Sequence, residues 1–122
     1  MKKKSLLILL GVLIILIFIE SRFKIYHRLY DKIILDNQNH YLSCSKLPTD
    51  VAVYQVVEAH QDIIDKILEI NPGNVGFEID TDSCQGKADI LIWYSSHQDH
   101  VAINEILKTD DFFGVPLRLQ NR

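Results

Sequence analysis

The chain has little of what usually announces an activity. Its 122 residues hold two cysteines, three prolines, five glycines and one tryptophan. No glycine-rich phosphate loop or dinucleotide fingerprint occurs, and no His-Glu-x-x-His helix marks a zinc protease. Nor is there a Gly-x-Ser-x-Gly elbow for a serine hydrolase, or a Cys-x-x-Cys pair for metal or redox chemistry. Basic charge is scarce after the first few residues: from Glu20 onward ten Lys/Arg stand against sixteen Asp/Glu. A nucleic-acid binder displaces counterions with Lys and Arg, so this acidic excess argues against DNA and RNA as partners. With 48% hydrophobic and 24% charged residues, the composition is that of a folded chain and not of a disordered or collagen-like one. Its length leaves no room for a large cofactor-binding fold, and no cofactor is expected.

What is present begins at the amino terminus. Lys2, Lys3 and Lys4 precede an unbroken apolar run from Leu6 to Ile19, the layout of an export signal. Cleavage favours small residues at alternate positions, and the exit through Phe18, Ile19, Glu20, Ser21, Arg22 and Phe23 offers only Ser21. No cysteine follows closely enough for a lipoprotein signal. Residues 1–19 are therefore expected to stay as an uncleaved signal-anchor, making the membrane the first partner. As a helix the run alone spans about 21 Å of a hydrocarbon core of about 30 Å. Snorkelling lysines, with Phe23, Tyr26 and Tyr30 at headgroup level, must close the gap. The dense lysines favour a cytoplasmic amino terminus, although Arg22, Lys24, Arg28 and Lys32 nearly balance them. The expected localisation is a single pass through the cell membrane with the carboxy-terminal domain outside the cytoplasm. There an isolated pair of cysteines has one connectivity, which predicts a disulfide between Cys44 and Cys84.

Three segments are expected: the anchor over 1–19, an amphipathic stalk and linker over 20–40, and a small α+β domain over 41–122. Phe23, Tyr26, Tyr30, Ile33 and Ile34 recur at helical spacing, which predicts that the membrane helix runs on to Leu35. Asp36 to His40 reads as the linker. Tyr41 to Ser45 is a candidate short strand. Thr49 or Asp50 can cap a helix whose apolar face runs from Val53 to about Ile70, and Asn71, Pro72, Gly73 and Asn74 end it. Val75, Phe77 and Ile79 alternate with Gly76, Glu78 and Asp80 as a strand, and Asp89 to Tyr94 forms its hairpin partner. A second helix starts after Ser95 or Ser96. Val115, Leu117 and Leu119 mark a last strand, which Pro116 confines to an edge or to the strand's beginning. The result is a small sandwich of two helices on an antiparallel or mixed sheet of three to four strands. It is ferredoxin-like if Tyr41 to Ser45 pairs, and a helix-strand-strand-helix-strand module if it does not. His60-Gln61-Asp62 and His97-Gln98-Asp99 hint at an internal repeat of helix followed by strand.

Few residues carry chemistry. His97 and His100, three apart on a helix, can face one metal ion, with His60, Asp62 or Asp99 as further ligands. His60 otherwise falls in an apolar stripe and reads as a core histidine. Asp80-Thr81-Asp82 starts like a calcium loop but lacks its later glycine and glutamate, so Glu78, Asp80 and Asp82 read as a solvated face. Ser95, Ser96 and His97 are neighbours without being a triad, and capping accounts for the serines. For acid/base work only the Glu78 and Asp80 carboxylates remain. The clearest surface signal is parity: Asp89, Leu91 and Trp93 share one strand face, and if Asp89 marks the solvent side, Leu91 and Trp93 form an apolar patch. The patch stays covered if the stalk folds back over it through Tyr26, Tyr30 and Ile33. The preferred function is a membrane-tethered interaction module with a protein partner bound at Leu91 and Trp93, a role that an accessory subunit of an envelope assembly would fill. The alternatives are a small hydrolase or metal-handling protein using His97 and His100, and a structural spacer.

Overall fold

The computed structural model describes residues 2–122. Helix α1 (Lys2–Phe23) is longer than the apolar run, because polar residues continue it at both ends. Its 22 residues rise about 33 Å, so by length and composition it can cross a membrane, and none of them is buried against the rest of the chain.

The stalk is not a continuation of that helix. The chain breaks at Lys24, with φ of 50°, and restarts as α2 (Ile25–Ile33). Glu20 accounts for the break: its carboxylate accepts the backbone N–H groups of Tyr26 at 2.6 Å and His27 at 3.3 Å. These are free donors of the first turn of α2, so the side chain from α1 serves as the cap of the next helix.

The domain is α+β. In chain order it comprises α3 (Asp50–Ala59), α4 (Gln61–Leu68), β1 (Val75–Asp80), β2 (Asp89–Tyr94), α5 (His97–Leu107), β3 (Asp111–Phe112) and β4 (Val115–Asn121). The sheet is mixed, with order β1-β2-β4-β3. β1 and β2 form an antiparallel hairpin, while β2 and β4 run parallel and are joined through α5, the crossover that a parallel pair requires. Thr49 caps α3 by accepting the N–H of Ala52 at 3.3 Å, and Ser96 caps α5 by accepting that of Asp99 at 3.2 Å.

Two expectations change here. The single helix expected from Thr49 to Ile70 is two, because His60 leaves the helical region at φ −128° and ψ 33°. Its ring Nδ1 lies 2.8 Å from the carbonyl of Val56, its ring stacks on Phe113 and meets the core residue Phe112 edge-on, so it is a hydrogen-bonded, partly buried histidine at the corner, in keeping with the reading of a core histidine. Tyr41 to Ser45 is not a strand: Tyr41 has φ of 55° and Cys44–Lys46 form a 3-10 turn. The architecture is therefore the helix-strand-strand-helix-strand alternative, with its first helix split.

The core lies between helices and sheet. Ile90, Ile92 and Tyr94 of β2 and Leu117 and Leu119 of β4 meet Val53, Val57, Ile64, Ile67 and Ile103 from the helices, all buried. Burial of each such aliphatic side chain stabilises by about 1.5–3 kcal/mol. Pro116 is the second residue of β4, beside the two-residue β3 that closes the sheet through the turn at Phe113 and Gly114, both with positive φ.

Cys44 and Cys84 lie at disulfide distance, their Cα atoms 5.6 Å apart and 40 residues apart in sequence. Cys84 sits in the β1–β2 turn, and beside the pair Ala88 donates to Pro48 and Asp50 to Gly86. A crosslink closing this loop should restrict the unfolded chain by about 4 kcal/mol on the chain-entropy account. We expect the Cys44→Ser/Cys84→Ser double variant to lose about 2–4 kcal/mol of unfolding free energy in a urea titration. A loss below about 1 kcal/mol would mean that the loop is held by its backbone bonds alone.

Candidate functional site

The polar segment between stalk and domain, expected as a free linker, is a strap bound to the sheet. Gln38 exchanges two backbone hydrogen bonds with Leu119, at 2.9 and 2.8 Å. The Asn37 side-chain oxygen accepts the N–H of Asn121 at 2.7 Å. Asp36 and Tyr41, both with φ of 55°, bend the strap at either end. Tyr41 also ties it to α2: its hydroxyl donates to the Asp31 carboxylate, and the Arg28 guanidinium lies 5.1 Å from its ring centre. Burial first, and then the Asp31 carboxylate, push the Tyr41 hydroxyl pKa up to about 12.

The sheet face away from the helices carries the first of two polar clusters. Strand register sets Glu78 and Arg118 beside Leu91, Gly76 and Gln120 beside Trp93, and Asp80 beside Asp89. Asp89 does not mark a solvent side, since it is only 4% exposed and Leu91 only 7%. The reason is Arg118, whose Nε and Nη2 donate to the two Asp89 oxygens at 2.6 and 2.9 Å. From the strap, His40 Nε2 adds a contact to Asp89 at 2.7 Å. The stalk residues do not cover this face: Tyr26 is 65% and Ile33 70% exposed. Asp80 shares Arg118 and organises the turn, accepting the Ser83 hydroxyl at 2.6 Å and the N–H groups of Asp82 and Ser83 at 3.0 and 3.2 Å. These bonds, that from the Ser83 hydroxyl foremost, hold the Asp80 pKa down at about 2. Asp80 is therefore a turn anchor, where the sequence suggested a solvated carboxylate. Arg118 is raised despite the opposing effect of its burial, because both carboxylates bind its charged form.

Trp93 lies at the margin of this face, half-buried. Its ring covers Gly76 so closely that a Cβ there would fall 2.0 Å from a ring carbon. The indole N–H donates to Glu78 at 3.0 Å and the Arg122 guanidinium lies 5.7 Å from the ring centre, so the ring is clamped at its edge and over its face. Beneath it β1 is an edge strand, unpaired on its outer side among the described residues.

The second cluster gathers His97 and His100, as their spacing on α5 suggested, around a residue that spacing did not find. That residue is Asp36 of the strap. Its Oδ1 lies 2.8 Å from His97 Nδ1 and 2.9 Å from His100 Nδ1. The buried Tyr94 hydroxyl donates to the Asp36 carbonyl and lies 3.1 Å from His100 Nδ1. The other suggested ligands are engaged elsewhere or lie outside the cluster. His60 stacks on Phe113 with centroids 3.6 Å apart, buried Asp99 accepts from Asn71 at 3.1 Å, and Asp62 does not join Asp36, His97 and His100. The only sequence signal for Asp36 was indirect: a tyrosine in the buried parity of β2 needs a partner for its hydroxyl. Two imidazoles and a carboxylate can share protons or hold a metal ion. The neighbouring serines are engaged elsewhere: Ser96 caps α5 and the Ser95 hydroxyl donates to the Asn74 carbonyl at 3.4 Å.

Comparison with known protein families, with curated proteins and with solved structures gave no match.

Two outcomes check the ion cluster. Arg118→Met strands the buried Asp89 charge and should cost about 3–5 kcal/mol in chemical denaturation, whereas Asp89→Leu combined with Arg118→Met should recover most of that loss. The folded Asp80 pKa lies below its ordinary value of 3.8, so its stabilisation is complete above about pH 4 and fades as pH falls towards 2. Asp80→Asn should flatten the stability profile in that interval and leave its slope near neutrality unchanged.

Proposed function

We propose that the protein is a membrane-tethered extracytoplasmic binding module that takes an extended segment of a protein partner along β1, beside Trp93. The observation that carries the reading is the edge itself. Natural edge strands are commonly protected by lysine, proline or a bulge. The residues of β1, Val75 to Asp80, include no lysine or proline, and their pairing with β2 runs without a bulge. An added strand would gain main-chain hydrogen bonds from this edge and side-chain contact from the indole at its rim. Leu91, beside Arg118 in register, is buried and leaves Trp93 as the residue a partner can reach.

The location follows the same reasoning. α1 is retained as a signal-anchor, with Lys2, Lys3 and Lys4 on the cytoplasmic side and the domain outside. A cysteine pair at disulfide distance suits an oxidising compartment. The acidic excess of the domain keeps nucleic acid off the list of partners.

Crosslinking in native membranes tests the reading. Trp93→Ala should reduce recovery of the copurifying protein, with an affinity loss of about 2 kcal/mol, or roughly 30-fold. The same substitution should lower thermal stability only modestly, because the ring lies outside the core between helices and sheet. Gly76→Ala, which displaces the ring without removing it, should give the same binding loss. Undiminished recovery with both variants would leave the domain as a spacer between the membrane and something else.

A further inference from the structure

The Asp36, His97 and His100 cluster lies in a cleft of about 670 Å³ that Arg28, Lys32 and Asn104 also line. We infer that these three residues form a binding site for one divalent transition-metal ion, with Zn²⁺ the ion whose preferences the donor set matches. Their ligand atoms all lie within 4.8 Å of one another, close enough to converge on one ion with small side-chain adjustments.

Two further observations point the same way. Asp36 Oδ1 faces both imidazoles while Oδ2, buried from solvent, has no hydrogen-bond partner. A carboxylate holding only two imidazole N–H groups has no reason to bury its second oxygen unsatisfied, whereas an ion beside it satisfies that oxygen. The Tyr94 hydroxyl, for its part, spends its single proton on the Asp36 carbonyl, so it fixes the strap without capping the His100 nitrogen. On metal binding the Nδ1 protons shift to Nε2, which frees both Nδ1 lone pairs for the ion.

Several charges set the affinity. Asp36, and Asp110 on the cleft wall, favour a dication, while Arg28, Lys32 and the amino-terminal end of α5 oppose it. Three protein ligands leave at least one coordination position to water, on the cleft side. Asp36 belongs to the strap and the histidines to α5, so the ion would join stalk and domain. This inference is independent of the β1 edge.

The test uses the full chain, free of any histidine tag, in detergent micelles, titrated calorimetrically with Zn²⁺ and spectroscopically with Co²⁺. One equivalent of Zn²⁺ should bind and raise the melting temperature, and Co²⁺ should develop visible d–d bands. His97 is 74% exposed, so His97→Ala should fold normally, weaken binding at least tenfold and abolish the thermal shift. Asp36→Asn should weaken binding similarly, with His97→Ala deciding the matter if the strap is disturbed. His60→Ala should bind as wild type. Absence of uptake, uptake indifferent to His97→Ala, or equal loss with His60→Ala would overturn the site and leave a hydrogen-bonded clasp.

Discussion

The buried carboxylate of Asp89 is the charge around which the open side of this domain is arranged. Removing an ionised carboxylate from water costs several kcal/mol unless its oxygens are matched, and here Arg118 supplies two N–H groups while His40 adds a third contact. One requirement thereby constrains three parts of the chain. It holds β4 in register, since a slip of one residue would turn Arg118 into the core and Leu117 out of it. Through His40 it fixes the path of the strap. Through the shared Arg118 it draws in Asp80, and with it the turn that carries Cys84.

Much of the fold was legible because periodicity records which face is buried. The alternation of Val75, Phe77 and Ile79 in β1 and of Val115, Leu117 and Leu119 in β4 marked the residues that pack against the core, and the strand registers agree. Periodicity says nothing of side chains that bond to backbone. The breaks at Lys24 and His60 follow from Glu20 capping α2 and from the corner geometry at His60, and both interrupt apolar patterns that read as continuous. Asp89 was misread for a related reason: a charge in a strand looks like a solvent marker until its partner is known, and Arg118 lies far along the chain. The candidate site shows both outcomes. His97 and His100 were found because a helix sets their spacing, while Asp36 was missed because only the folded strap brings it to them.

The strap changes what the amino-terminal helix can do for the domain. A free linker of five polar residues would let the domain tumble about its anchor, and any binding edge would face the membrane at random. Here Tyr41 joins the strap to α2, and Gln38, Asn37 and His40 join it to the sheet. The contacts are polar at every point, so the join depends on specific partners and not on buried area.

That dependence makes the strap the natural place for control. Asp36 and Tyr41 both occupy the left-handed region, at a cost of order 1 kcal/mol each, and little apolar burial offsets it. Segments held by a few polar contacts open at lower free energy than the core they lie on. The contacts at the Asp36 end and the His40 end therefore set how often the strap lets go. A ligand that binds only when Asp36 is seated against His97 and His100 shifts that balance towards the docked form by its own binding free energy.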